Sequence, residues 1–214
     1  FAQGYGLTET APLALVMGID ESEKKIGAAG NKVLPLSDVR LVDATNTEVA
    51  AGQPGEICVR GPQVMVGYWD NPGATDAAID DDGWFHTGDV GILDEDGYLS
   101  IVDRTKDMLL YKGYNVFPRE LEEILFGTPG VAGAAVVGRP DEEAGELPIA
   151  YVVRKDDADG AALTVESVMT AVNDKVTPYK RLRDVRFIDA IPVSAAGKVL
   201  KRELAALERE KVGG

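Results

Sequence analysis

Hydrophobic patterning divides the chain into two textures. Over residues 26–104, short runs such as 39–42 (VRLV) and 56–60 (EICVR) alternate apolar and polar side chains, the pattern of half-buried strands. Gly-Gln-Pro-Gly at 52–55 and Gly61-Pro62 supply turns. One short helix is predicted from an Asn71 cap, with Pro72 at its first position, ending before Asp80-Asp81-Asp82-Gly83. Adjacent acids ahead of a glycine read as an exposed turn. A further turn, Thr87-Gly88-Asp89, precedes a hairpin with strands 91–93 and 98–102 around Asp94-Glu95-Asp96-Gly97. Tyr68, Trp69, Trp84 and Phe85 are read as core.

The five residues 103–107 (DRTKD) are all polar, and four are charged. Such a joint suits a boundary between bodies better than a core. Beyond it a glycine-centred hairpin covers 108–116. A helix starts at Pro118, with Leu121, Ile124 and Leu125 on one face and Gly127 past its end. Buried strands are predicted over 131–137 and 147–153, around the acidic loop Asp141-Glu142-Glu143. Thr164 caps a helix with the stripe Val165, Val168, Met169, Val172 and Val176. A strand over 185–188 and a closing helix over about 200–208 complete a small α+β domain.

The balance of 22 basic and 36 acidic side chains gives a net charge of −14. That field repels nucleic acid and anionic membrane, so neither is expected as a partner. The lone Cys58 excludes an internal disulfide and fits a reducing, cytoplasmic compartment. One cysteine and one histidine (His86) argue against a zinc centre. No apolar run reaches the ~18 residues of a membrane span. Phe1 is not an initiator methionine, and the opening FAQGYG reads as a buried strand entering a turn, as in a piece of a longer protein.

Several residue types are suited to phosphate and sugar chemistry. Thr8 can donate to a phosphate oxygen and Glu9 can hold Mg²⁺ through oxygen; a solvated turn, with Thr8 as a local cap, is the alternative. Asp89 suits a ribose diol or, alternatively, backbone amides, and Arg104 can add a fork of donors. His86 has no second imidazole and is expected to be packed and hydrogen-bonded. Lys198 follows a small-residue loop and a glycine just before a helix, so its ammonium is either presented to a reacting oxygen or merely solvated. Walker, dinucleotide-binding, zinc-peptidase and nucleophile-elbow motifs are absent.

The runs YGLTE (5–9), GEICVRGPQVMVGYW (55–69), GWFHTGD (83–89), DRTKDMLLYKGYNVFPRELE (103–122) and PVSAAGKVLKREL (192–204) occur in this order. Together they resemble the adenylate-forming superfamily of acyl-CoA synthetases, luciferases and peptide-synthetase adenylation domains, most of all its fatty-acid–CoA ligases. The resemblance implies an α+β fold in which 1–104 is a partial β-barrel-like remnant of a large domain and 105–214 a small mobile domain. It implies that Tyr5 stacks on adenine, Thr8 contacts phosphate, Glu9 binds Mg²⁺, and Asp89 with Arg104 holds the ribose. It further implies Lys106 as hinge, Gly113 beside the pantetheine path and Lys198 between acyl carboxylate and α-phosphate. ATP, Mg²⁺, coenzyme A and a small carboxylic acid are the implied cofactors and partners, with a homodimer left open. The phosphate loop of that family has no counterpart in these residues, which leaves the fragment by itself inactive. An aryl-acid ligase, a carrier-protein-loading domain and a non-catalytic module that kept the fold are the competing readings.

Overall fold

The computed structural model describes residues 2–21, 23, 25–195 and 197–212; Phe1 of the opening strand and Ala196 of the 192–198 loop lie outside them. The chain divides into two compact units, Phe1–Lys106 and Asp107–Gly214. Among the described residues no helix is long and apolar enough to cross a membrane.

The first unit begins with a small antiparallel sheet of β1 (Gln3–Tyr5), β2 (Leu15–Met17) and β3 (Lys32–Val33). A four-stranded antiparallel meander follows: β4 (Asp38–Val42), β5 (Pro54–Arg60), β6 (Phe85–Leu93) and β7 (Leu99–Arg104). Its order is β4-β5-β6-β7, an open sheet with no closed barrel. Alternation along the strands sends Leu41, Ile57, Val59 and Leu99 to one core, where they meet Tyr5 and Leu15. Helix α1 (Pro72–Ala78) starts where Asn71 accepts a bond from the Ala74 amide at 3.1 Å. The Asp94–Gly97 turn is closed by Asp94 Oδ1, which accepts from the amides of Asp96 and Tyr98.

Two expectations need correction. Residues 87–89 belong to β6 instead of a free turn, and they bulge out of its pairing with β5 while Asp89 stays paired with β7. Glu56 pairs with Val90 and Cys58 with His86, so Ile57 alone faces Thr87, Gly88 and Asp89. The aromatic residues also part company. Trp84 and Phe85 are buried, but Tyr68 is 38% exposed and Trp69 is 98% exposed.

The second unit is a layered α/β body. A hairpin of β8 (Leu109–Tyr111) and β9 (Tyr114–Val116) leads to α2 (Pro118–Phe126), β10 (Val131–Asp141) and β11 (Gly145–Arg154). Then come α3 (Ala158–Ala162), α4 (Val165–Asn173), β12 (Asp184–Phe187) and α5 (Lys201–Val212). Strands β10 and β11 form a long antiparallel hairpin, β12 runs parallel to β11, and β10 is an edge. The near-continuous apolar runs of β10 and β11 are explained by burial on both faces. Ala134, Val136, Ala150 and Val152 meet Leu121 and Leu125 of α2 and Val168 and Val172 of α4. Ala135, Val137, Ile149 and Tyr151 meet Leu204 of α5 on the other face. Truncating a fully buried leucine such as Leu121 or Leu125 to alanine would cost about 2–5 kcal/mol.

Candidate functional site

Three of the singled-out residues converge in the first unit. Tyr5, at the end of β1, is buried, and its hydroxyl donates to Asp89 Oδ2 at 2.8 Å. Asp89 Oδ1 accepts from Arg104 Nε at 3.1 Å. Asp89 and Arg104 are register partners across β6 and β7, so the ladder itself holds this pair. Burial is the main reason the Tyr5 phenol is raised far above its ordinary pKa, and the Asp89 charge adds to it against the Thr87 hydroxyl. Tyr5 therefore stays a proton donor.

The bulge aims the carboxylate. Gly88 adopts φ +71, and its amide donates to Glu56 Oε1 at 3.0 Å. Thr87 Oγ1 donates to the Ile57 carbonyl at 2.8 Å and accepts from the Asp89 amide at 3.1 Å. Asp89 thus engages side chains, not the backbone amides that a simple turn would offer it. Each of its oxygens retains a second lone pair for an outside donor such as a ribose hydroxyl.

Glu9 stands on the 3₁₀ turn Thr8–Thr10 that follows β1. The capping role falls to Thr10, whose hydroxyl accepts from the Leu7 amide at 2.9 Å and donates to the Leu7 carbonyl at 3.0 Å. Thr8 faces solvent. Glu9 Oε1 accepts from the Tyr68 hydroxyl at 3.0 Å, and the Glu9 carbonyl accepts from the Met65 amide at 2.8 Å. Glu9 is only half-buried and has oxygen lone pairs to spare, a donor set that fits a hard cation such as Mg²⁺.

The imidazole of His86 is hydrogen-bonded, within a polar cluster. Its Nδ1 lies 2.9 Å from Glu56 Oε2 and 3.4 Å from Cys58 Sγ, and its Nε2 lies 3.5 Å from Asp80 Oδ2. Glu56, Cys58 and His86 place one donor atom each within 4.8 Å, a geometry compatible with a metal ion. Their present bonds serve another purpose. Glu56 is shared between His86 and the Gly88 amide, so the cluster braces the bulge that carries Asp89. Burial pushes the Cys58 thiol up to about 12, and the Glu56 charge adds to that against the guanidinium of Arg40. A protonated thiol beside an arginine is a poor cation ligand.

The remaining candidates lie at or beyond the unit boundary. Lys106 is exposed on the 3₁₀ turn Thr105–Asp107. Lys112 and Gly113 form the two-residue tip between β8 and β9, at φ +49 and +82, and a Cβ added at Gly113 would meet nothing within 4 Å. Lys198 is exposed, its amide donates to Ser194 Oγ at 3.2 Å, and its carbonyl accepts from the Ser194 amide at 2.8 Å. Gly197 takes φ +77 to close that loop. Among the described residues no carboxylate pairs with the Lys198 ammonium.

Sequence reasoning missed Glu56, Thr87 and Tyr68. Their partners stand 30 to 59 residues away, so no local spacing announces them.

Residues 1–69 match the family model for the AMP-binding enzyme, and residues 120–198 match that for the AMP-binding enzyme C-terminal domain. Taken together the two matches span most of the chain, which belongs to the AMP-binding enzyme family. Among its relatives, a long-chain-fatty-acid–CoA ligase of Escherichia coli O157:H7 is 48% identical over 210 residues. The match covers 98% of this chain and 36% of the relative. A 4-coumarate–CoA ligase-like protein of Oryza sativa subsp. japonica is 50% identical over 204 residues, covering 94% of this chain and 33% of the relative. The chain thus spans about a third of the curated relatives it matches. Among solved structures, ATP-bound MatB from Rhodopseudomonas palustris superimposes with a TM-score of 0.87 at 35% identity, over 98% of this chain and 41% of that one.

Proposed function

We propose that this chain works within an ATP-dependent acid–CoA ligase. A substrate carboxylate oxygen attacks the α-phosphorus of ATP, and the bond to pyrophosphate breaks, leaving an acyl-adenylate. The thiol of coenzyme A then attacks the acyl carbon, AMP departs with the electron pair, and the thiol proton passes to solvent. The observation that carries the reading is the Asp89 carboxylate, buried, aimed by a braced bulge and shared by Tyr5 and Arg104.

In this reading Asp89 and Arg104 hold the ribose, and Tyr5 lies against the adenine. Thr8 offers a free hydroxyl to phosphate. Glu9 would hold Mg²⁺, which would supply positive charge against the phosphates. Lys198 places its ammonium between the acyl carboxylate and the α-phosphate, where negative charge gathers as the new bond forms. Lys106 is the hinge that takes this lysine away for the second step, and Gly113 lines the path of the pantetheine arm.

The acid is a long-chain fatty acid, as the similarity to the bacterial long-chain-fatty-acid–CoA ligase suggests; the 50% identity to a 4-coumarate–CoA ligase-like protein favours an aromatic acid as the second reading. Acid-dependent ATP–pyrophosphate exchange with a long-chain fatty acid and with 4-coumarate separates the two. The role of Lys198 is tested in the intact enzyme by Lys198→Ala. Adenylation should fall by about 10²–10³, as when one preorganised charge-stabilising donor is lost. Thioester formation from supplied acyl-adenylate should stay near the wild-type rate. Equal loss in both half-reactions would contradict the assignment.

A further inference from the structure

The loop that carries Lys198 is rooted at both ends. Val193 and Val199 pair across it, and the Leu200 amide donates to the Pro192 carbonyl at 2.8 Å. Its outgoing leg enters α5 at Lys201, three residues after Lys198. Lys201 Nζ reaches Glu122 Oε1 on α2 at 2.8 Å, and both side chains are less than one-fifth exposed. The same oxygen accepts from the Val136 amide at 2.7 Å. Val136 lies on β10, the edge of the sheet, so this amide has no strand to bond.

Helices α2 and α5 pack on opposite faces of that sheet, against Val136 and against Ala135 and Val137 respectively. One carboxylate oxygen at the sheet edge therefore ties together both layers, the edge strand and the root of the lysine loop. We infer that Glu122 is a positioning residue for adenylation, which acts through Lys201 to fix where the Lys198 ammonium is presented. This rests on the adenylation role assigned to Lys198. Exposed on a turn, Lys198 has no packing of its own to hold it. A displacement of about 1 Å at the reacting group can cost 10²-fold in rate, which makes the root of the loop the place where precision is set.

Glu122→Gln in the intact enzyme keeps an acceptor for the Val136 amide but removes the charge that holds Lys201. Adenylation measured by pyrophosphate exchange should fall by up to about 10²-fold in kcat, with the KM for ATP little changed. Thioester formation from supplied acyl-adenylate should be spared. Lys201→Met should reproduce the loss, and the double variant should be no worse than either single one, because one interaction is removed only once. Amide hydrogen exchange over residues 194–200 should rise in all three. Glu122→Asp, which retains the charge on a shorter arm, gives a graded loss if Gln fails to fold.

Wild-type adenylation by a folded Glu122→Gln, with Lys198→Ala impaired, would overturn the inference. So would equal loss in both half-reactions, since that marks a purely structural role. Wild-type adenylation by Lys198→Ala would instead overturn the role of Lys198, and the exchange protection of the loop would still report whether Glu122 holds it.

Discussion

At the scale of single residues, buried charge decides what each carboxylate can do. Asp89 meets one neutral and one cationic donor, so its charge is balanced before any nucleotide arrives. Asp89→Asn keeps the shape but removes the ionised acceptor. A hydrogen bond to a charged group contributes about 1.5–3 kcal/mol, so ATP affinity in the intact enzyme should weaken by roughly 10- to 100-fold. If Asp89 holds the ribose as proposed, the effect should appear in the KM for ATP more than in kcat, because that contact would form before the chemistry. Glu208 is a second case. It is fully buried on α5 and accepts from the Tyr151 hydroxyl at 2.7 Å and from Lys211 at 3.2 Å, with Arg186 3.5 Å away. Burial by itself would raise its pKa, but Tyr151, Lys211 and Arg186 outweigh burial and hold it below the ordinary value of 4.5. A depressed folded-state pKa means that the stabilisation is complete above the unfolded value and is lost as pH falls through the folded one. Glu208→Gln should therefore lower stability near pH 7 and flatten the acid limb, read by urea titrations at neutral and acidic pH. An acid limb identical to wild type would refute this assignment.

At the scale of elements, legibility tracked distance along the chain. The Asn71 and Thr164 caps and the Asp94–Gly97 and Lys112–Gly113 turns were readable because their determinants lie within four residues. The apolar stripes of α2 and α4 were readable for the same reason, although Val176 falls beyond α4 and only packs against the core. The bulge in β6 was not legible. It depends on the register of β6 against β5, which is set by Glu56 and Ile57 about thirty residues upstream. Tyr68 looked apolar in a run of aromatics, and its hydroxyl partner, Glu9, is 59 residues away. The hairpin tip yields a prediction at this scale. Gly113→Ala meets no atom but places a Cβ at φ +82, a left-handed conformation that costs an L-residue about 1–2 kcal/mol. If the pantetheine arm passes there, thioester formation should fall well beyond that small stability loss, with pyrophosphate exchange intact. Unchanged thioester formation would remove Gly113 from the thiol path.

At the scale of the whole molecule, the proposed reaction makes two incompatible demands. The first transition state needs a cation against the α-phosphate and acyl oxygens. The second needs that cation withdrawn and a thiol admitted to the same carbon. The division of the chain between Lys106 and Asp107 falls in the 3₁₀ turn Thr105–Asp107, just past the end of β7; the residues of that turn belong to neither hydrophobic core. A rotation there would exchange Lys198 for the hairpin at Gly113 while the nucleotide stays with Asp89. Lys106→Pro tests this directly, because proline locks φ near −65° and removes one degree of freedom at the proposed pivot. In the intact enzyme one half-reaction should proceed at close to its wild-type rate, and the other, with overall thioester synthesis, should collapse. Undiminished turnover would place the pivot elsewhere. Parallel loss of both half-reactions, in a variant that melts like the wild type, would mean that residue 106 shapes the site instead of moving it.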